Sequence, residues 1–400
     1  MKSLKELYRI GRGPSSSHTM GPERAALLFA EKHPAAERFR VRLYGSLART
    51  GRGHGTDTVL QKTLPRPAEI VFDTRTAELP HPNTMDFQAL EEGNWSAPWR
   101  VLSVGGGEIE AEGIEHIAPP EIYPLNTFNE IAALCRAEDI RLSDYVERCE
   151  GPEIWDFLER IWTRMKQTVR EGLAADGVLP GGLGVQRKAR YLHQSHHMDE
   201  SAETAENRMV CAYAYAVSEQ NAAGGIIVTA PTCGASGVLP AVLVYMQKKH
   251  RFSEEQILRA LAVGGLLGNL IKTNASISGA ECGCQAEVGT ACSMAAGALA
   301  ELFGMSLEKI EYAAEVAMEH HLGLTCDPIR GLVQIPCIER NAVAAMRAIN
   351  ALSLANFLFC TRKISFDLVV QTMYETGRDL PGPYRETGEG GLAKLYRQEE

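Results

Sequence analysis

Four of the ten cysteines in this 400-residue chain stand in short stretches that contain glycine or proline, GAECGCQ, GLTCDP and IPCIER, and these stretches are typical of loops. They are Cys282, Cys284, Cys326 and Cys337. Thiolates can hold zinc or an iron–sulfur cluster, but the long gaps between these residues differ from the C-x-x-C spacing of zinc ribbons and ferredoxins. Spacing alone therefore leaves two interpretations open, a metal site and buried cysteines that pack as small apolar side chains.

A serine-rich segment near the N-terminus could bind an anion. The stretch GRGPSSSHTMGPERAA precedes a helix that we predict to begin near Pro22, where proline suits the first turn. Its hydroxyl groups belong to Ser15, Ser16, Ser17 and Thr19. The free N–H groups at the start of a helix attract a carboxylate. The alternative is a turn that only caps the helix.

Two histidines in the same half of the chain are candidates for proton transfer. His18 lies within the serine-rich segment, and His54 lies between two glycines in GSLARTGRGHGTD. Imidazole titrates near neutral pH, and Asp57 is placed to orient the ring of His54. The alternative is that each histidine is only a polar surface residue. The glycines do not form a dinucleotide-binding loop, because Thr56 occupies the last glycine position of G-x-G-x-x-G.

Cysteines and histidines elsewhere are predicted to be structural. Cys135, Cys211, Cys292 and Cys360 are placed on the apolar stripes of predicted helices. His193, His196 and His197 stand in the polar run HQSHHMDE, which indicates a solvated loop. His320 and His321 follow a predicted helix and are expected to contact its negative C-terminal end.

The elements that must position these residues differ between the two parts of the chain. Alternating apolar and polar residues in ERFRVRLYGSLA, AEIVFDT and WRVLSVGGGEIEAEGI predict strands, and PERAALLFAEKH predicts a helix. From about residue 125 the patterns are helical, with capping boxes at Thr127–Glu130 and Ser253–Gln256. Two segments, at 221–244 and 274–300, are rich in glycine, alanine, serine and threonine. They favour closely packed central helices or a cofactor site.

Composition excludes several classes of function. The net charge of -9 disfavours a nucleic-acid-binding protein, which needs a basic surface. The most apolar stretch, LRALAVGGLLGNLIK, is shorter than the ~18 apolar residues of a membrane span. The N-terminus has no apolar core typical of a secretory signal, so we predict a cytoplasmic protein without disulfides.

Several motifs occur together and in one order. They are GPSSSHTMGP, LYGSLARTGRGHGTD, GVLPGGLGVQRKA, VTAPTCGASGVLPAVL, NASISGAECGCQAEVGTACSMAAG, MEHHLGLTCDPIRGLVQIPCIERNAVAAM and MYETGRDLPGPYRET. This set resembles the bacterial iron–sulfur L-serine dehydratases, also called L-serine ammonia-lyases, over essentially the whole chain. The resemblance implies an α+β domain over residues 1–122, similar to allosteric substrate-binding domains. An all-helical catalytic domain is expected over residues 123–400.

The resemblance also implies a four-iron, four-sulfur (4Fe–4S) cluster. By motif, the cluster ligands match Cys284, Cys326 and Cys337. Relatives often carry an aliphatic residue at the position of Cys282, and Cys233 is likewise not a cluster position. Many relatives end in a cysteine that caps the fourth iron, whereas this chain ends in GGLAKLYRQEE. The fourth iron is therefore expected to be open to water or another small ligand.

The implied reaction converts L-serine into pyruvate and ammonia. The open iron would act as a Lewis acid on the hydroxyl of serine. Ser15, Ser16, Ser17 and Thr19 would hold the carboxylate and amine of the substrate. His54 is favoured as the base and His18 as the group that orients the substrate, although the sequence does not decide which histidine has which role. Motif adjacency also places Asn274 and Arg340 near the site.

Two other functions remain open on the sequence alone. A pyridoxal-phosphate dehydratase would need a Schiff-base lysine, for which Lys272 is the nearest candidate, and a glycine-rich phosphate loop, which is missing. An amino-acid sensor would use the N-terminal domain to bind serine without catalysis. For the enzyme we expect a homo-oligomer that acts on a small molecule, with no nucleic-acid or membrane partner.

Overall fold

The computed structural model describes residues 1–111, 113, 119–196, 198–358, 360 and 362–396. The strands are β1 (Ile10–Arg12), β2 (Arg38–Tyr44), β3 (Ala68–Asp73), β4 (Thr84–Glu91), β5 (Asn94–Trp95), β6 (Trp99–Gly105), β7 (Glu108–Ala111) and β8 (Ile226–Val228). The first α-helices are α1 (Gly21–Lys32), α2 (Gly45–Thr50), α3 (Thr56–Thr63), α4 (Phe128–Glu138), α5 (Leu142–Glu150), α6 (Glu153–Ala174), α7 (Ala189–Gln194) and α8 (Ala202–Ala222). The remaining α-helices are α9 (Val238–His250), α10 (Glu254–Asn274), α11 (Gly279–Cys282), α12 (Thr290–Leu302), α13 (Leu307–Glu319), α14 (Cys337–Leu358), α15 (Phe366–Asp379) and α16 (Gly391–Leu395). Single 3-10 turns cover Leu4–Glu6, Ile329–Gly331 and Gly382–Tyr384, and π-helical turns cover Ser16–Met20 and Gln285–Gly289.

The N-terminal part is built on a mixed sheet, as the alternating pattern predicts. The strand order within the described residues is β3-β2-β4-β6-β7, with β5 paired to β4. The β2–β3 pair is parallel and the other pairs are antiparallel. Phe39, Val41 and Leu43 alternate along β2 and point into a core shared with Phe29 of α1 and Phe87 of β4. The predicted first strand is shorter than expected, because GSLART forms α2.

The C-terminal part is almost entirely helical, and its central pair consists of α10 and α12. A Cβ atom on Gly297 would lie 2.0 Å from Leu267 Cδ1, and one on Gly264 would lie 3.0 Å from the Met294 carbonyl oxygen. The glycines are therefore needed for the close approach of the two helices. The capping box at Ser253–Gln256 is confirmed. No helix of the described residues is both long and apolar enough to cross a membrane.

The first residues of the chain belong to the core of the helical part. Leu4, Leu7 and Tyr8 are fully buried there, and the Tyr8 hydroxyl donates a hydrogen bond of 2.9 Å to the Leu261 carbonyl of α10. Strand β1 then pairs with β8, so the helical part is not purely helical. The division at residues 122 and 123 stays a prediction, but residues 1–12 pack with the helices.

Replacing Leu7 with alanine is expected to destabilise the helical part. Leu7 is 1% exposed, and truncation of a buried leucine costs about 2–5 kcal/mol because it leaves a cavity. The measurement is the midpoint of urea unfolding followed by far-ultraviolet circular dichroism. Lys5→Ala, at an exposed position two residues away, is the control and is expected to leave the midpoint unchanged. Equal midpoints for both variants would contradict the packing of the N-terminus in this core.

Candidate active site

A small enclosed cavity lies where the N-terminal segment and the sheet domain meet the helices. Its polar lining is formed by Ser15, His54, Cys284, Glu287, Cys326, Cys337 and Glu386. These residues come from five separate segments of the chain, which the tertiary fold brings together. Thiols, a histidine and two carboxyl groups in one enclosed space can support metal binding and proton transfer.

Three of the cysteines that the sequence singles out face this cavity. Cys284 precedes the π-helical turn before α12, Cys326 lies in the loop after α13, and Cys337 is the first residue of α14. The thiol sulfurs of Cys284 and Cys326 and a carboxylate oxygen of Glu287 all lie within 4.8 Å of one another. All three cysteines are buried. Cys282 does not line the cavity, because its side chain packs against Gly377 of α15.

The electrostatic surroundings of the cysteines favour one thiolate. A hydrogen bond from Cys326 and the nearby Arg340 guanidinium lower the pKa of Cys284 to about 6. The same hydrogen bond raises the pKa of Cys326, and burial raises that of Cys337. Arg340 is fixed by donating a 2.6 Å hydrogen bond to the Thr325 carbonyl, so its predicted closeness to the site is confirmed. Burial also raises the pKa of Glu287 to about 8.

The serine-rich segment is itself helical. The helix α1 begins at Gly21, beside Pro22 as predicted, and the π-helical turn Ser16–Met20 runs directly into it and extends the helical backbone to Ser16. Among the described residues the amides of Ser16 and Ser17 have no hydrogen-bond partner, and both residues are buried. The N-terminal end of this helical segment therefore leaves two amide donors without partners, directly after Ser15, which lines the cavity.

The hydroxyl groups of this segment mostly support the two histidines. Thr19 Oγ1 donates a 3.0 Å hydrogen bond to the carbonyl of His54, and Ser17 Oγ lies 2.9 Å from His18 Nδ1. The Ser15 hydroxyl accepts a hydrogen bond from the His18 amide, and Ser15 also lines the cavity. We conclude that Ser17 and Thr19 position the imidazoles, whereas Ser15 faces the space that a ligand would fill.

The hydrogen-bond network assigns the tautomers of both histidines. Ser46 and Thr50 give their hydroxyl hydrogens to the carbonyls of Glu386 and Ser46, so His18 Nε2, at 3.1 and 3.0 Å from these hydroxyls, must donate to them. His18 Nδ1 then accepts from Ser17. His54 Nδ1 donates to the Thr50 carbonyl at 3.0 Å, which leaves a lone pair on His54 Nε2. That nitrogen has no hydrogen bond within the described residues.

Burial keeps both imidazoles uncharged. His54 is 1% exposed, and desolvation lowers its pKa to about 4. Desolvation, together with the charge of His54, also lowers the pKa of His18 well below its usual value. A neutral imidazole with a free lone pair is a competent general base. His54 Nε2 is therefore the proton acceptor that the geometry offers.

Several expectations from the sequence are wrong. Asp57 does not orient His54, because its carboxylate accepts from the Thr58 amide while the Thr50 carbonyl takes that role. Asn274 does not line the cavity and donates to the Asn126 carbonyl instead. Cys360 is exposed beyond the end of α14 and does not pack in a helix core. The expectation for His320 and His321 is confirmed, since their Nδ1 atoms contact the last carbonyls of α13. His197 lies outside the described residues.

Sequence reasoning missed the two carboxyl groups of the site. Glu287 follows Cys284 by three residues, and Thr232 Oγ1 donates a 2.7 Å hydrogen bond to it. Glu386 lies 3.5 Å from His54 Nε2 and 3.9 Å from His18 Nδ1 through its Oε1 atom. The only signal was the position of each glutamate inside a quoted motif, since an isolated acidic residue has no spacing that marks it.

The fold and the site define a class of protein in which a sheet domain closes over a buried, cysteine-lined cavity of a helical domain. The chain belongs to the serine dehydratase family. The family model described as the serine dehydratase alpha chain matches residues 88–393, and the model described as the beta chain matches residues 3–65.

Curated relatives are similar over nearly their whole length. The L-serine dehydratase of Streptomyces coelicolor is 41% identical over 98% of both chains. The L-serine dehydratase TdcG of Escherichia coli is 40% identical over 98% of this chain and 99% of its own. The L-serine dehydratase of Helicobacter pylori is 36% identical over 99% of both chains.

Proposed function

We propose that this chain is a lyase that converts L-serine into pyruvate and ammonia. The names of its relatives support the substrate and the reaction. The observation that carries the proposal is that the lone pair of His54 Nε2 accepts no hydrogen bond from the described residues, while His54 lines the same cavity as the three buried thiols. A base beside a metal-binding group is what the removal of an α-proton and a β-hydroxyl requires.

The donor set of the cavity fits a 4Fe–4S cluster. Cys284, Cys326 and Cys337 would hold it, since these three buried thiols line one cavity. Such a cluster, when bound through three cysteines, supplies an open iron that polarises the hydroxyl of serine as a Lewis acid. Arg340 provides a fixed positive charge that favours the thiolate form of these ligands.

The protein groups have separate tasks in this reaction. The substrate carboxylate is bound by the free amides of Ser16 and Ser17 and by the Ser15 hydroxyl. His54 Nε2 takes the α-proton and holds it while the hydroxyl departs, and His18 keeps the surrounding network in place. The product of elimination is aminoacrylate, which tautomerises and hydrolyses to pyruvate and ammonia without further help from the protein. The cytoplasmic location and the homo-oligomer stay predictions.

The proposal is tested by purifying the protein without oxygen and measuring iron, sulfide and pyruvate formation from L-serine. We expect iron and sulfide in the protein and an activity that is lost in air. A pyridoxal-phosphate enzyme would instead give a borohydride-trapped lysine. Lys272 is unsuited to that role, since its Nζ lies 3.3 Å from Glu108 Oε1 and donates to the Glu6 carbonyl. Serine binding by cluster-loaded protein without pyruvate would favour a sensor.

The pH dependence of kcat/KM is expected to reflect the buried state of His54. The neutral form is the active base, so activity is present above the pKa of about 4 and falls as the pH drops through that value. An ordinary histidine would lose activity around pH 6.5. We expect kcat/KM to fall by less than about twofold between pH 7.5 and pH 6, measured under conditions that keep the iron content constant. A decline with a midpoint near 6.5 would contradict this assignment.

A further inference from the structure

Glu386 is held in an unusual conformation that aims its side chain into the cavity. Its φ angle is +56°, in the left-handed region that side-chain-bearing residues rarely adopt. It is 6% exposed. Such backbone conformations persist where surrounding structure enforces them, and they are concentrated at functional sites. The side chain of Glu386 is therefore a candidate for a functional role in the cavity, in addition to the roles proposed above for the histidines, the cysteines and the serine-rich segment.

The backbone of Glu386 is fixed on both sides. Its amide donates a 2.9 Å hydrogen bond to the Cys326 carbonyl, and its carbonyl accepts a 2.8 Å hydrogen bond from the Ser46 hydroxyl. The Cys326 amide in turn donates to the Tyr384 carbonyl at 2.8 Å. The position of Glu386 is thus coupled to a proposed cluster ligand and to the helix that follows β2.

The carboxyl group of Glu386 lacks a donor. The tautomers described above place lone pairs, not hydrogens, on the two imidazole nitrogens that face it, His54 Nε2 and His18 Nδ1. Within the described part of the chain no side chain or amide donates a hydrogen bond to this carboxyl group, and no lysine or arginine forms an ion pair with it. A buried carboxylate without a donor is unfavourable, and a ligand that brings N–H groups and a positive charge would satisfy it.

We propose that Glu386 binds the α-ammonium group of the substrate and makes the site selective for amino acids over hydroxy acids. This inference rests on the proposed function. The ammonium nitrogen is one bond from the α-carbon, and Glu386 Oε1 is 3.5 Å from His54 Nε2. An ammonium on Glu386 therefore presents the α-hydrogen to the free lone pair of His54. The hydroxyls of Ser17 and Thr19, which were expected to hold the amine, are committed to His18 and to the His54 carbonyl.

The test compares two ligands that lack the β-hydroxyl group of serine, L-alanine and L-lactate, which differ in carrying an ammonium or a hydroxyl group on the α-carbon. Their dissociation constants are measured by calorimetry on anaerobically purified, iron-loaded enzyme. For Glu386→Gln we expect L-alanine to bind roughly 100-fold more weakly, whereas binding of L-lactate changes less than about threefold. Glutamine has the same length as glutamate and meets the same backbone constraint. Glu389→Gln, three residues away in a pair with Arg49, is the matched control and is expected to change neither ligand.

The outcomes separate the inference from the function on which it rests. Equal weakening of both ligands, or unchanged binding of L-alanine, would overturn the assignment of Glu386. If Glu386→Gln does not fold, Glu386→Asp keeps the charge and should still prefer L-alanine to L-lactate. Loss of that preference in a folded, iron-loaded Glu386→Asp enzyme would also refute the idea. Failure of the wild-type enzyme to form pyruvate from L-serine would instead refute the proposed function.

Discussion

Cys326→Ser is expected to abolish both iron binding and pyruvate formation. Cys326 is 3% exposed and faces the cavity together with Cys284 and Cys337. A serine hydroxyl stays protonated where a thiol would ionise, so two ligands would remain for a cluster that needs at least three. Loss of Lewis-acid assistance removes several kcal/mol of transition-state stabilisation, so we expect turnover to fall by about 1000-fold or more. Iron content and the visible absorbance of the anaerobic protein provide readouts besides activity.

Cys282→Ser is the matched control for this prediction. Cys282 is also buried and lies only two positions before Cys284, but its side chain contacts Gly377 and not the cavity. We expect this variant to keep its iron and its colour. The account of the metal site fails if Cys326→Ser retains iron and activity, or if Cys282→Ser loses iron as completely as Cys326→Ser does.

His54→Gln is expected to lower kcat by about 10²–10⁴-fold, because the base that accepts the α-proton is removed. Iron content and absorbance should be unchanged, since His54 is not among the proposed cluster ligands. KM should change little, because the groups proposed to bind the substrate carboxylate lie on another segment. The measurement is steady-state turnover of L-serine, with iron determined on the same samples.

Two further histidine variants make this result interpretable. His18→Gln should also slow the reaction, but through displaced hydrogen bonds, since both nitrogens of His18 are already engaged. His33→Gln removes a partly buried histidine that pairs with Glu91 at 3.0 Å in the sheet domain, and it should leave turnover unchanged. Turnover of His54→Gln within about tenfold of the wild type would exclude His54 as the base.

Local patterns in the sequence predicted the parts of the fold that depend on local periodicity. The alternation of Phe39, Val41 and Leu43 specified a strand with one buried face, and the small residues of the segment 274–300, which include Gly297, indicated closely packed helices. The motifs likewise singled out the cysteines that the structure gathers around one cavity. Each of these features is encoded within a few neighbouring residues, which is why the sequence alone could reveal them.

Features that depend on distant contacts could not be read in this way. Glu386 and His54 are separated by most of the length of the chain, and no neighbouring residue of either one indicates that their side chains lie close together. One local expectation also failed, since the partner of His54 Nδ1 is the carbonyl of Thr50, four positions before it, and not the carboxylate of Asp57. The start of α1 was predicted correctly, but the π-helical turn that the serine-rich segment forms before it was not, because such a turn has no simple sequence signature.

The burial of the N-terminus among the helices has a consequence for motion. Residues packed with the helical part flank the sheet domain on both sides, since β1 pairs with β8 before it and Tyr123 is buried in the helical core after it. A rotation of this domain would therefore have to displace packed residues on both sides of it, in contrast to a domain that is attached through a single hinge. We therefore expect the cavity to admit serine through small local displacements around His54 and Ser15, with the two domains remaining docked throughout the catalytic cycle.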